Sequence, residues 1–98
     1  ELWRIGDICL HNGVFVVADE IHCDFAFPEH PHTIFAKACP QLEEKMILCT
    51  APSKTFNLAG LQVSNIWVPG KEVRDRFNQR SGIFPVERPR FDRMPGSL

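Results

Sequence analysis

The sequence predicts an α/β fold built around a mainly parallel β-sheet, and three observations carry that prediction. Two short runs, Val14-Phe15-Val16-Val17-Ala18 and Lys45-Met46-Ile47-Leu48-Cys49-Thr50, are almost wholly apolar. Such runs suit strands covered on both faces. Each is followed by a polar or small-residue stretch, Asp19-Glu20-Ile21-His22 after the first and Ala51-Pro52-Ser53-Lys54 after the second. In α/β sheets that C-terminal edge is where ligands bind. Asp19 and Lys54 lie 35 positions apart, which accommodates a βαβ crossover of about thirty residues or more.

Residues 1–12 read as an amphipathic helix with Leu2, Ile5, Ile8 and Cys9 on one face and Leu10 at its margin. Asn12-Gly13 is a helix stop. The first strand follows at 14–18. Residues 23–32 form a long loop with Pro28, Pro31, His30 and His32, and Thr33 is placed as the N-cap of a short helix ending at Ala38. Residues 39–44 read as a linker or fraying turn. The second strand spans 45–50. Leu61, Val63, Ile66, Trp67 and Val68 suggest a strand of mixed exposure, Pro69-Gly70 a turn, and Lys71 to Gln79 a helix with Val73 and Phe77 one turn apart. Residues 80–98, with Pro85, Pro89 and Pro95 among Arg88, Arg90 and Arg93, keep no helical or strand period. The expected division is therefore 1–79 and a divergent Pro/Arg-rich tail, 80–98.

Ninety-eight residues make one small domain or a piece of a larger one. A net charge of −1 points away from nucleic acid and anionic membranes. No apolar run approaches the roughly 20 residues of a transmembrane helix, and Glu1-Leu2-Trp3-Arg4 does not begin a signal peptide. Cysteines 9, 23, 39 and 49 form no Cys-x-x-Cys pair, so reduced thiols in a cytoplasmic protein are expected.

Three readings compete. A lysine in a tight loop of Ser, Pro and Gly can be desolvated and attack a carbonyl carbon, forming a Schiff base; on its own, a Ser-Lys pair such as Ser53-Lys54 is more often a surface turn. A carboxylate across from such a lysine suits pyridoxal phosphate, because it keeps the pyridine nitrogen protonated and the ring able to accept electrons. His22, Cys23, His30, His32 and Cys39 have the residue types for zinc but not the spacing of a tetrahedral set. The third reading is an α/β module without chemistry.

Val17-Ala18-Asp19-Glu20-Ile21-His22, followed by Ala51-Pro52-Ser53-Lys54-Thr55-Phe56-Asn57-Leu58-Ala59-Gly60-Leu61-Gln62, resembles the class I/II aminotransferase superfamily of pyridoxal-phosphate enzymes, fold type I. Within it, the cystathionine β-lyase-like carbon–sulfur lyases are the nearest branch. The resemblance covers roughly residues 1–79 and implies that the chain is part of the mainly parallel large domain. It implies pyridoxal 5'-phosphate as cofactor, bound through Lys54, which also moves the substrate's α-proton. Asp19 would pair with the pyridine nitrogen, His22 would stand near the phenolic oxygen, and Ser53 would offer a hydroxyl to the phosphate. The implied reaction is β-elimination of cystathionine or cysteine conjugates to pyruvate, ammonia and a thiol, with amino-group transfer to a 2-oxo acid as the alternative. An amino-acid substrate and a homodimer of the full-length enzyme go with it.

Two positions depart from the aspartate aminotransferase pattern. Ala51 stands where a serine is usual, and Gln62 where a phosphate-binding arginine is usual. Both departures favour the lyase branch. The Gly-rich phosphate turn and the carboxylate-binding arginine of such enzymes are not found in the sequence. The chain thus reads as an internal slice, expected to be poorly soluble and catalytically silent by itself.

Overall fold

The computed structural model describes residues 1–82. The tail assigned to 80–98 lies outside the described residues from position 83 onward. The elements, in order, are α1 (Leu2–His11), β1 (Val16–Asp19), a 3₁₀ turn (Cys23–Phe25), α2 (Phe35–Ala38), a second 3₁₀ turn (Pro40–Lys45), β2 (Met46–Thr50), a third (Ala59–Leu61), β3 (Asn65–Trp67) and α3 (Lys71–Ser81).

The sheet has the order β1-β2-β3. β1 and β2 are parallel, with Val16 opposite Met46 and Asp19 opposite Cys49. β3 runs antiparallel to β2, pairing Leu48 with Trp67 and Thr50 with Asn65. The α/β class therefore stands, with β1 and β2 as its parallel pair and β3 added antiparallel at the edge.

The helix stop at Asn12-Gly13 works as its chemistry dictates. Gly13 takes a φ of +64°, its N–H donates to the Leu10 carbonyl, and the Val14 N–H donates to the Cys9 carbonyl at 2.9 Å. This is the paired-bond ending that left-handed glycine permits. The Asn12 side chain adds a bond to the Ile8 carbonyl at 2.8 Å.

The helical face turned inward differs from the expected one. Leu2, Gly6 and Cys9 face the core, while Ile5 and Ile8 are exposed. Gly6 decides this: a Cβ there would lie 2.9 Å from the Cys39 Cβ. The helix can approach the Cys39 side chain closely only because position 6 has no side chain. The Cys39 thiol fills the space and donates to the Leu2 carbonyl at 3.2 Å.

Phe35, Cys39, Leu42 and Met46 form the buried centre, with Val16, Ala18 and Leu48 packed against it from the sheet. The stretch 39–44, expected as a linker, is thus a core element, with Leu42 almost fully buried. Strand alternation puts Val16, Ala18, Met46 and Leu48 on this covered face, and Val17, Asp19, Ile47 and Cys49 on the other. Among the described residues no helix covers that second face, where Val17 and Ile66 are exposed. Within the described residues, the cover that such apolar runs suit is thus present on one face of β1 and β2. β3 is exposed throughout, and the buried residue is Val68, just beyond it.

α3 seats itself on the second 3₁₀ turn through Gly70, where a Cβ would come within 3.0 Å of the Glu44 Cα. The Arg74 guanidinium donates to the Val68 and Pro69 carbonyls, each at 3.0 Å. The helix continues past Gln79 to Ser81 and ends at Gly82, with φ +61°. No helix among the described residues is long and apolar enough to cross a membrane.

Two predictions arise from the α1 seat. Gly6→Ala should destabilise the folded protein by about 1–3 kcal/mol through overpacking, outweighing the roughly 1 kcal/mol that alanine gains in helix propensity. A lowered denaturant midpoint with an unchanged slope is the expected result, and an equal or higher midpoint would refute it. Burial pushes the Cys39 thiol above its ordinary value of 9.0, so the folded state holds that proton more tightly than the unfolded chain. The resulting stability is intact below about pH 9 and is lost as pH rises through the folded value. Denaturant midpoints measured from pH 7 upward should therefore fall more steeply in the wild-type protein than in Cys39→Ala.

Candidate active site

The last residue of β1 and the turn after β2 meet at one edge of the sheet because the two strands are adjacent, parallel and in register. Pairing continues one step past Asp19: the Glu20 N–H donates to the Cys49 carbonyl at 2.8 Å. Asp19 closes β1 on the open face, and its Oδ1 accepts from the Ile21 N–H at 3.2 Å. That bond turns the carboxylate back over its own loop. Lys54 lies five positions after Cys49 in a turn spanning 52–57. The turn is braced internally by the Phe56 N–H on the Pro52 carbonyl, 2.9 Å, and the Leu58 N–H on the Ser53 carbonyl, 3.0 Å. Asn57, at φ +54°, turns the chain back. Asp19 and Lys54 are both solvent-exposed. Among the described residues no ion pair joins either of them to another group.

Glu20 does the opposite of Asp19. It is turned inward and almost buried, at 8% exposure. Its Oε1 accepts from the Phe35 N–H at 2.7 Å, and its Oε2 lies 3.2 Å from the His32 Nε2. This overturns the expectation of a Thr33 N-cap. The N-cap position is Ile34, which has no side-chain cap, and a carboxylate fifteen residues upstream takes the first helical N–H instead. Glu20 thus pins both ends of the 21–34 strap to the sheet edge. A cleft of about 530 Å³ opens beside it, with Asp19, Glu20, His30 and His32 in its wall but not Lys54.

His22 is exposed and tilts against Phe25, with ring centroids 5.9 Å apart. Ser53 is half-buried in the Lys54 turn. The strap and the Lys54 turn are joined by the Thr55 hydroxyl, which donates to the Asp24 Oδ2 at 2.7 Å. The Asp24 Oδ1 lies 3.8 Å from the Cys23 sulfur. Burial pushes the Cys23 thiol up, and the Asp24 and Glu20 carboxylates add to it. Asp24, Thr55 and the anchoring role of Glu20 were not found from the sequence. A bond between positions 31 apart leaves no local pattern, and Glu20 looks like any acidic residue at a strand end. The five candidate zinc residues are dispersed: the Cys39 thiol lies under α1 and His32 is on Glu20. No group of three or more His, Cys, Asp or Glu among the described residues is arranged to hold a metal ion.

Comparison with known proteins places this geometry. The profile of the aminotransferase class I and II family matches residues 1–90. Cystathionine beta-lyase PatB of Bacillus subtilis is 44% identical over 86 residues, covering 85% of the chain and 22% of that protein. The crystal structure of cystalysin from Treponema denticola, which contains a pyridoxal 5'-phosphate cofactor, superposes with a TM-score of 0.76. It is 44% identical, over 81% of this chain and 20% of that one. The pyridoxal-phosphate-bound C-S lyase of Staphylococcus hominis gives a TM-score of 0.77 at 38% identity, over 84% and 21%. The chain spans about a fifth of the length of these proteins.

Replacing Glu20 tests the anchor. Glu20→Ala leaves the Phe35 N–H without an acceptor and should cost about 1–3 kcal/mol, whereas Glu20→Gln keeps an oxygen in place and should cost less. Amide hydrogen exchange at Phe35 reads this directly. Protection should be lost in the alanine variant and largely kept in the glutamine variant; equal protection in both would remove the anchor.

Proposed function

The chain belongs to the class I and II aminotransferase family, and from that premise we propose that it forms part of the cofactor-holding wall of a pyridoxal-phosphate-dependent carbon–sulfur lyase acting on sulfur amino acids in the cytoplasm. The observation that carries this reading is the placement of Asp19 at the end of β1 and of Lys54 in the turn that follows the adjacent parallel strand β2. The donor set fits one end of the cofactor well: a primary amine suits the aldehyde, and a carboxylate suits the ring nitrogen. It fits the phosphate end thinly, with the Ser53 hydroxyl but with Ala51 and Gln62 at the other two positions. Further phosphate donors therefore come from elsewhere in the enzyme.

When bound, pyridoxal phosphate supplies an aldehyde that condenses with amines and a cationic ring that accepts the electron pair of the broken Cα–H bond. Lys54 holds the cofactor between turnovers. With its Nζ free, Lys54 would take the proton from the substrate α-carbon. Asp19 keeps the ring nitrogen protonated, as a fixed negative charge that costs no reorganisation during the reaction. Its exposure on the open face leaves its carboxylate accessible to a ligand. His22, three residues on, orients the phenolic side. The overall reaction breaks the Cβ–S bond and, with one water, yields pyruvate, ammonia and a thiol. The 44% identity to a cystathionine beta-lyase supports elimination over amino transfer. The complete enzyme is expected to be a homodimer.

In the complete enzyme, Lys54→Ala should abolish both turnover and the borohydride-reducible cofactor adduct. Asp19→Ala should keep an adduct but lose about 10²-fold or more in kcat, by analogy with the loss of other preorganised charge-stabilising groups. Near-normal turnover by Asp19→Ala would overturn its assignment. Assay of pyruvate and thiol from cystathionine, against amino transfer to a 2-oxo acid, decides the reaction.

A further inference from the structure

We propose that Asp24 and Thr55 are positioning residues for Lys54, an inference that rests on the function proposed above. The two segments that carry the site leave the sheet from neighbouring strands, and their backbone pairing stops at the Glu20–Cys49 bond. Beyond it, among the described residues, the Thr55 hydroxyl on the Asp24 carboxylate, at 2.7 Å, is the hydrogen bond that joins the strap to the Lys54 turn. Thr55 is the residue directly after Lys54, and Asp24 sits on the 3₁₀ turn five residues beyond Asp19.

The Lys54 turn is stiff within itself, through the bonds from Phe56 to Pro52 and from Leu58 to Ser53. A stiff turn moves as one body about its attachment to β2, so a single lateral tie sets where the lysine stands relative to Asp19. The acceptor is a carboxylate oxygen, and hydrogen bonds to carboxylates are about twice as strong as neutral ones. The far side of the tie is itself fixed, because Glu20 pins the strap at Phe35 and His32. A path thus runs from the buried core through Glu20, the strap, Asp24 and Thr55 to Lys54. Misplacement of a reacting group by about 1 Å is enough to cost about 10²-fold in rate.

The test uses the complete enzyme, stripped of cofactor and then mixed with pyridoxal phosphate. The rate at which the Lys54 adduct forms is followed by borohydride trapping and mass spectrometry, beside kcat, KM and the thermal midpoint. Thr55→Val should form the adduct about tenfold more slowly and lose about tenfold or more in kcat, with KM and midpoint nearly unchanged. Thr55→Ser, which restores a hydroxyl, should recover both rates. If Thr55→Val does not fold, Asp24→Ala carries the same comparison from the other side. Wild-type adduct formation in Thr55→Val, or losses that Thr55→Ser does not recover, would overturn the positioning role alone. Absence of any Lys54 adduct in the unsubstituted enzyme would overturn the proposed function, and this inference with it.

Discussion

The in-register parallel pairing of β1 with β2 is the constraint on which everything else in this chain rests. Side chains on a strand alternate between faces, so a slip of one residue exchanges the two faces completely. Val16 and Ala18 pack against the core formed by Phe35, Cys39, Leu42 and Met46, and that packing obliges Asp19 to point to the opposite side. The Glu20 N–H on the Cys49 carbonyl then extends the register past the last strand residue. The position of the acidic group is therefore a by-product of burying two small apolar side chains correctly.

Adjacent residues at this edge have opposite fates, and the contrast is informative. Asp19 stays in solvent with one backbone bond, while Glu20 is buried with both oxygens engaged. A buried carboxylate is costly unless its lone pairs are satisfied, and here the partners come from the far end of the strap. Glu20 converts a long loop into a piece of fixed geometry, and the loop in turn brings Asp24 to the lysine turn. Among the described residues Asp19 has no ion-pair partner, which suits a group meant to meet a ligand.

The layering has the same one-sidedness. Helices α1 and α2 and the long 3₁₀ turn pack around the core on the face that carries Met46 and Leu48, and α3 sits on that turn, with Gly6 and Gly70 allowing close approach at two seams. Val17 and Ile66 are left exposed on the other face. Apolar strand positions of this kind are normally covered by further elements of an α/β sheet. Under the proposed function those elements belong to the remaining length of the enzyme, of which this chain corresponds to about a fifth in its relatives.

Much of this was legible in the residues themselves. Apolar runs of the right length located β1 and β2 within two residues, Asn12-Gly13 behaved as a helix end, and the spacing of Asp19 and Lys54 implied neighbouring strand tips, because these are local signals of backbone preference and burial period. The family resemblance, too, was carried by contiguous residues. What the sequence could not decide was which apolar residues of α1 face inward, that 39–45 belongs to the core, that β3 runs antiparallel, or that Glu20 caps α2 and Thr55 bonds Asp24. Each of these depends on groups fifteen or more positions apart meeting in space, and packing of that kind leaves no periodicity along the chain to read.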